Sequence, residues 1–174
     1  MATSITRCTR SQAPEILAIF NDAIANTTAL YDYRARTMAD MDAWFDLKER
    51  AGYPVLGAFD DAGGLQGFAT YGQFRERPAY KYTVEHSVYV DRAVRGRGIG
   101  RRLLADLIDL AQEADYHSLI GGIDAENAVS IALHTRMGFE RCGRIRQAGF
   151  KFGRWLDLDF YQRLLQTPAH PVDG

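Results

Sequence analysis

Tyr82-Thr83-Val84-Glu85-His86-Ser87-Val88-Tyr89-Val90, followed closely by Arg95-Gly96-Arg97-Gly98-Ile99-Gly100-Arg101, decides how the rest of the chain is read. The first segment is β-branched and aromatic, with Val84, His86, Val88 and Val90 on one face and Glu85, Ser87 and Tyr89 on the other. That alternation predicts a long central strand. The glycine-rich segment runs into Leu103, Leu104, Leu107, Ile108 and Ala111 at helical spacing, which predicts a helix over 98–114. Ser118 to Ile123 then reads as a short buried strand. Strand, helix and strand in this order imply a right-handed parallel crossover.

Upstream, apolar residues recur at helical spacing from Ser11 to Ala25, with Ser11 as a candidate N-cap and Pro14 in the first turn. Thr37, followed by Asp40, predicts the start of a second helix that ends at Gly52. Residues 26–36 read as a loop. Pro54–Phe59 and Leu65–Tyr71, joined by Asp60-Asp61-Ala62-Gly63-Gly64, predict a β-hairpin. Downstream, Asn127–Met137 reads as a helix closed by Gly138. Phe139–Arg146 and Trp155–Tyr161 read as two strands, and Thr167–Gly174 as a frayed tail. The expectation is one α/β (α+β) domain over residues 1–166, with a tail over 167–174.

The chain has 174 residues, 47% of them hydrophobic, enough to bury a core without staples. Its 21 Lys+Arg against 22 Asp+Glu provide no field for non-specific nucleic-acid binding. No apolar run approaches membrane-spanning length and no apolar leader is evident, so a cytoplasmic protein is expected. Cys8 and Cys142 sit in no ligand-like spacing and read as reduced thiols; no metal is expected.

The turn at 95–101 lies where unpaired helix amides and the helix macrodipole favour a phosphate. It is not GxGxxG, because Arg101 takes the sixth position after Gly96, and the chain contains no Gly-Lys-Ser/Thr. What remains is Arg-x-x-Gly-x-Gly over Arg95–Gly100, in which small residues let the backbone wrap a pyrophosphate while arginines add charge. A plain β–α turn with solvated arginines is the alternative.

This pattern resembles the acetyl-CoA signature of the GNAT superfamily of N-acetyltransferases. A second segment, Asn127, Ser130, His134 and Gly138-Phe139, is similar to the superfamily's Asn-x-x-Ala-x-x-x-Tyr-x-x-x-Gly-Phe. Tyr82–Val90 and Ala148–Trp155 resemble the phosphinothricin and methionine sulfone/sulfoximine acetyltransferases, and the likeness runs from Ile5 to Leu164. The resemblance implies a single domain with a mixed, mostly antiparallel sheet, splayed at the acetyl-CoA site and flanked by helices. It implies that the backbone of Val88, Tyr89 and Val90 pairs with pantetheine amides. Arg95, Gly96, Arg97, Gly98, Ile99, Gly100 and Arg101 would hold the pyrophosphate, and Asn127 and Arg136 would add cofactor contacts. Where many members carry a Tyr that protonates the departing thiolate, this chain has His134, whose ring can do the same; a partly buried helix histidine with a backbone partner is the alternative.

Acetyl transfer to an amine needs a group that takes the ammonium proton. Glu85 is the candidate: a carboxylate in a β-branched strand is costly unless it is paired or catalytic. A salt bridge to Arg75, Arg77 or Lys81 is the alternative. Arg75, Glu76 and Arg77 border the acceptor pocket by resemblance, and Arg75 is the better carboxylate partner of the two arginines. His86, Ser87, Tyr31, Tyr33, Phe150 and Lys151 are further pocket candidates. Related pockets are completed by a second subunit, so a homodimer through Trp155–Tyr161 is expected. The leading reading is direct transfer from acetyl-CoA to the α-amine of phosphinothricin, methionine sulfoximine or methionine sulfone, a detoxification. Other acceptors (an aminoglycoside, a polyamine or a protein N-terminus) and a non-catalytic acyl-CoA sensor are the competing readings. The arginine-rich pocket disfavours cationic acceptors.

Overall fold

The computed structural model describes residues 3–173. Its seven strands are ordered β1-β2-β3-β4-β5-β7-β6 in a mixed, largely antiparallel sheet. They are β1 Ser4–Arg7, β2 Val55–Phe59, β3 Leu65–Gln73, β4 Thr83–Val90, β5 Ser118–Asp124, β6 Glu140–Lys151 and β7 Arg154–Leu164. The helices are α1 Ala13–Asn26, α2 Met38–Ala51, α3 Ile99–Glu113 and α4 Ala128–Arg136. Two compact units are formed, one by the chain up to Thr70 with Val88–Leu104, the other by Tyr71–Ser87 with the chain from Ala105.

In the first unit β2 pairs antiparallel with β1 and β3. Phe20, Met41, Phe45, Val55 and Phe68 form its core, with Phe20 edge-on to Phe68 at 4.8 Å. β1 escaped the sequence reading because Ser-Ile-Thr-Arg carries one apolar residue. α2 starts and stops as predicted: Thr37 and Asp40 form a reciprocal capping box and Gly52 closes the helix at φ 70°. α1 begins later than predicted because Thr9, not Ser11, caps a 3-10 turn over Arg10–Gln12 that precedes it.

In the second unit β4 runs parallel to β5 from Thr83↔Ser118 to Glu85↔Ile120, as the crossover argument requires. β7 pairs antiparallel with both β5 and β6. β6 extends to Lys151, beyond its predicted end at Arg146, because register shifts near Gly143 and between Ile145 and Gly149 break the alternation that sequence reading follows. Beyond β7, two residues of the expected tail are hydrogen-bonded to the rest of the second unit. Leu165 is buried, Thr167 Oγ1 donates to Tyr116 O (2.5 Å) and Val172 N–H to the Tyr82 hydroxyl (3.1 Å).

Candidate active site

Neighbouring residues of a strand point to opposite faces, and on β4 this separates Glu85 from His86. Each meets a glycine of β5. A Cβ on Gly122 would lie 3.2 Å from Glu85 Oε1, and one on Gly121 would lie 2.9 Å from His86 Cε1. Sequence reasoning passed over Gly121-Gly122, although glycine inside a strand signals close approach.

Glu85 is half-buried and makes no ion pair among the described residues, so the predicted alternative of a bridge to Arg75, Arg77 or Lys81 is not formed. Burial raises its carboxyl above the ordinary range, and the charge of Arg75 opposes the rise. Arg75 is exposed, its guanidinium 4.3 Å over the Phe74 ring and donating to Phe74 O. Glu76 and Arg77 are exposed and Ser87 is half-buried.

His86, expected beside the substrate, is enclosed. Its ring is buried, 5.0 Å from Phe139, with Nε2 2.9 Å from His134 Nε2. Burial first and His134 second push it down to about 3. The Ile120 backbone favours the charged form, but Nδ1 has no partner at hydrogen-bond geometry, so burial dominates.

His134 is equally enclosed. Its Nδ1 lies 2.7 Å from Ser130 O and 3.3 Å from Ser130 Oγ, and burial lowers its pKa. With one ring nitrogen on Ser130 and the other on His86, no N–H is open to a departing thiolate. This arrangement matches the alternative of an enclosed helix histidine with a backbone partner; the contact with His86, 48 residues away in sequence, had no signal in the spacing. On the same helix, Asn127 accepts from Ser130 N–H as the N-cap (3.1 Å), leaving its amide nitrogen without a partner among the described residues. Arg136 is exposed in the last turn.

In the first unit the turn has Gly96 at φ 80° and Gly98 at φ 77°. A Cβ at either would meet nothing within 4 Å, so backbone conformation, not space, calls for glycine there. The first bond of α3 runs from Arg102 N–H to Gly98 O (3.1 Å), which leaves the preceding amides at the open helix end. Gly96, Arg97, Gly98 and Arg101 are exposed, Gly100 is half-buried and Ile99 is buried. Arg95 Nε donates to Val90 O (3.1 Å), so this arginine is folded back onto the strand and occupies one of the carbonyls expected to meet pantetheine. The amides, the positive-φ glycines and the remaining arginines fit an anionic diphosphate. Tyr33 is 77% exposed in the same unit, in a loop pinned by Asn21 Oδ1 accepting from Arg36 N–H.

Phe150 stacks edge-on to Trp155 at 5.1 Å, and both are largely exposed. Lys151 is buried, with its ammonium over the Phe152 ring, and so is not an open pocket wall. No helix among the described residues is long and apolar enough to cross a membrane.

Comparison with known proteins identifies the family and the fold. Residues 5–159 match the acetyltransferase (GNAT) domain model. The chain is 47% identical to the L-methionine sulfoximine/L-methionine sulfone acetyltransferase of Pseudomonas paraeruginosa over 162 residues, 93% of this chain and 94% of the relative. A solved chain from Acinetobacter baylyi ADP1, proposed to be an acetyltransferase, superposes with a TM-score of 0.98 at 51% identity, covering 99% of this chain and 97% of that one. A phosphinothricin acetyltransferase from Sinorhizobium meliloti, solved with acetyl-CoA, gives 0.93 at 34% identity, covering 98% and 93%.

Proposed function

This chain belongs to the GNAT acetyltransferase family, and we propose that it acetylates the α-amine of methionine sulfone, methionine sulfoximine or phosphinothricin by direct attack in a ternary complex, thereby detoxifying them. Glu85 carries the reading: a half-buried carboxylate with no ion pair among the described residues, under the influence of the Arg75 charge. Those two charges suit the ammonium and carboxylate of one amino acid. A polycationic acceptor would meet Arg75 unfavourably.

Bound acetyl-CoA supplies the activated acetyl group. Gly96–Arg101 hold its diphosphate, with Arg97 and Arg101 adding charge, and the backbone of Val88–Val90 aligns the pantetheine arm. Asn127, through its unpartnered amide nitrogen, and Arg136 add contacts from α4. Glu85, kept weakly acidic by burial, takes the ammonium proton directly or through water, a step typically worth about 10²–10⁴-fold. Arg75 orients the acceptor through its carboxylate. Direct attack is supported by the thiols: burial and Glu15 push Cys8 up to about 12, and the Cys142 Sγ–H bonds to Phe160 O on β7.

We place the reaction in the cytoplasm and the enzyme in a homodimer. β7 lies inside the sheet between β5 and β6, so the contact expected at Trp155–Tyr161 moves to β6, an edge that carries exposed Ile145 and Phe150 beside Trp155 of β7. The test is thiol release from acetyl-CoA with the three analogues, common amino acids, a polyamine and an aminoglycoside. Turnover confined to the analogues supports the proposal; turnover with cationic amines alone, or with none, overturns it.

A further inference from the structure

α4 is docked by a polar residue. Among its residues only His134 is buried, whereas a short surface helix ordinarily rests on an apolar stripe. The partner atoms fix which nitrogen of that ring carries hydrogen. Ser130 O is a carbonyl and can only accept, so the 2.7 Å contact requires a proton on His134 Nδ1. A neutral His134 then presents a bare Nε2 to His86, 2.9 Å away, and the hydrogen between them belongs to His86 Nε2. His86 Nδ1 must in turn be bare; it has no partner at hydrogen-bond geometry, although the Ile120 backbone favours the protonated ring. For two neutral rings, one assignment of protons satisfies both contacts.

We propose that His86 is a positioning residue: by donating its Nε2–H to His134 Nε2 it latches α4 to β4, and so fixes the helix start that carries Asn127 and Ser130. The latch is local. Phe139 packs against both rings, at 5.0 Å and 5.2 Å, and Gly121 provides the space beneath them. Glu85, on the opposite face of the same strand, does not touch the pair. Its kinetic consequence rests on the acetyl-transfer reading, but the proton assignment does not.

Two measurements test the latch. Long-range ¹H–¹⁵N correlation of the imidazoles in the unmodified protein is expected to show His134 protonated at Nδ1 and bare at Nε2, with His86 the reverse. A proton on His134 Nε2 overturns the proposal whatever the enzyme acetylates. In steady-state kinetics His86→Leu leaves Nε2 buried without a donor and raises the KM for acetyl-CoA roughly tenfold with a smaller change in kcat. His86→Gln, whose amide can donate to the same nitrogen, restores most of the loss. Equal behaviour of the two variants overturns it. Should His86→Leu not fold, the imidazole spectrum of the parent decides alone. A parent without turnover for any amine defeats the acetyl-transfer reading and leaves the spectrum valid.

Discussion

Glu85 Oε1 rests 3.2 Å from where Gly122 would carry a Cβ. That approach lets the carboxylate lie over β5, half-buried, without a salt bridge. A methyl there pushes the flexible end of Glu85 aside and leaves the fold intact. Gly122→Ala is expected to keep Tm near the parent's and to lower kcat roughly ten- to a hundredfold.

Gly121→Ala should behave oppositely. Its Cβ would meet the buried His86 ring at 2.9 Å, and neither ring of the pair has room to move. The expected loss is about 1–3 kcal/mol of stability, read from denaturant melts. A neutral effect on folding would mean that the rings are not fixed where they lie.

The pH dependence follows from Glu85. A general base works when ionised, so a raised pKa places the acid limb of kcat/KM above the ordinary carboxylate range. Arg75→Leu removes the opposing charge and moves that limb further up. For stability the sign is reversed: the folded form binds this proton more tightly, so the contribution is present at low pH and lost as pH rises through the folded value. Glu85→Gln is therefore expected to raise Tm relative to the parent at neutral pH, and to do so less at about pH 4.

Asp159 is the counterpart elsewhere in the fold. Arg144 grips its carboxylate through two bonds of 2.6 and 2.8 Å and holds its pKa below the usual range. This contribution is present above the unfolded carboxyl value and lost as pH falls through the folded one. Arg144→Gln should cost about 1–2 kcal/mol at neutral pH, reduced by the arginine's partial exposure, and less in acid.

At the turn, Gly98→Ala places a side chain at φ 77° with nothing to clash against. Strain of about 1–2 kcal/mol is expected, read as a higher KM for acetyl-CoA with an unchanged KM for the acceptor.

The legible parts of this molecule were those set by short-range rules. Thr37, Asp40 and Gly52 fixed α2 to the residue, and alternation along Thr83–Val90 found both the central strand and its half-buried carboxylate. The Arg95–Gly100 pattern located the positive-φ glycine turn that leads into α3, although not the return of Arg95 onto Val90. Hidden from sequence was whatever depends on a distant partner. His86 read as a pocket residue and His134 as a proton donor because their mutual contact joins β4 to α4. β6 read short because its bulges suspend the period of two.

The most direct test of the account is Glu85→Gln. Acetyl-CoA affinity and thiol release with methionine sulfone should be measured for this variant beside the parent. Retained affinity with release reduced roughly 10²–10⁴-fold is the predicted result. Release within a few-fold of the parent would contradict the assignment of Glu85 as the base.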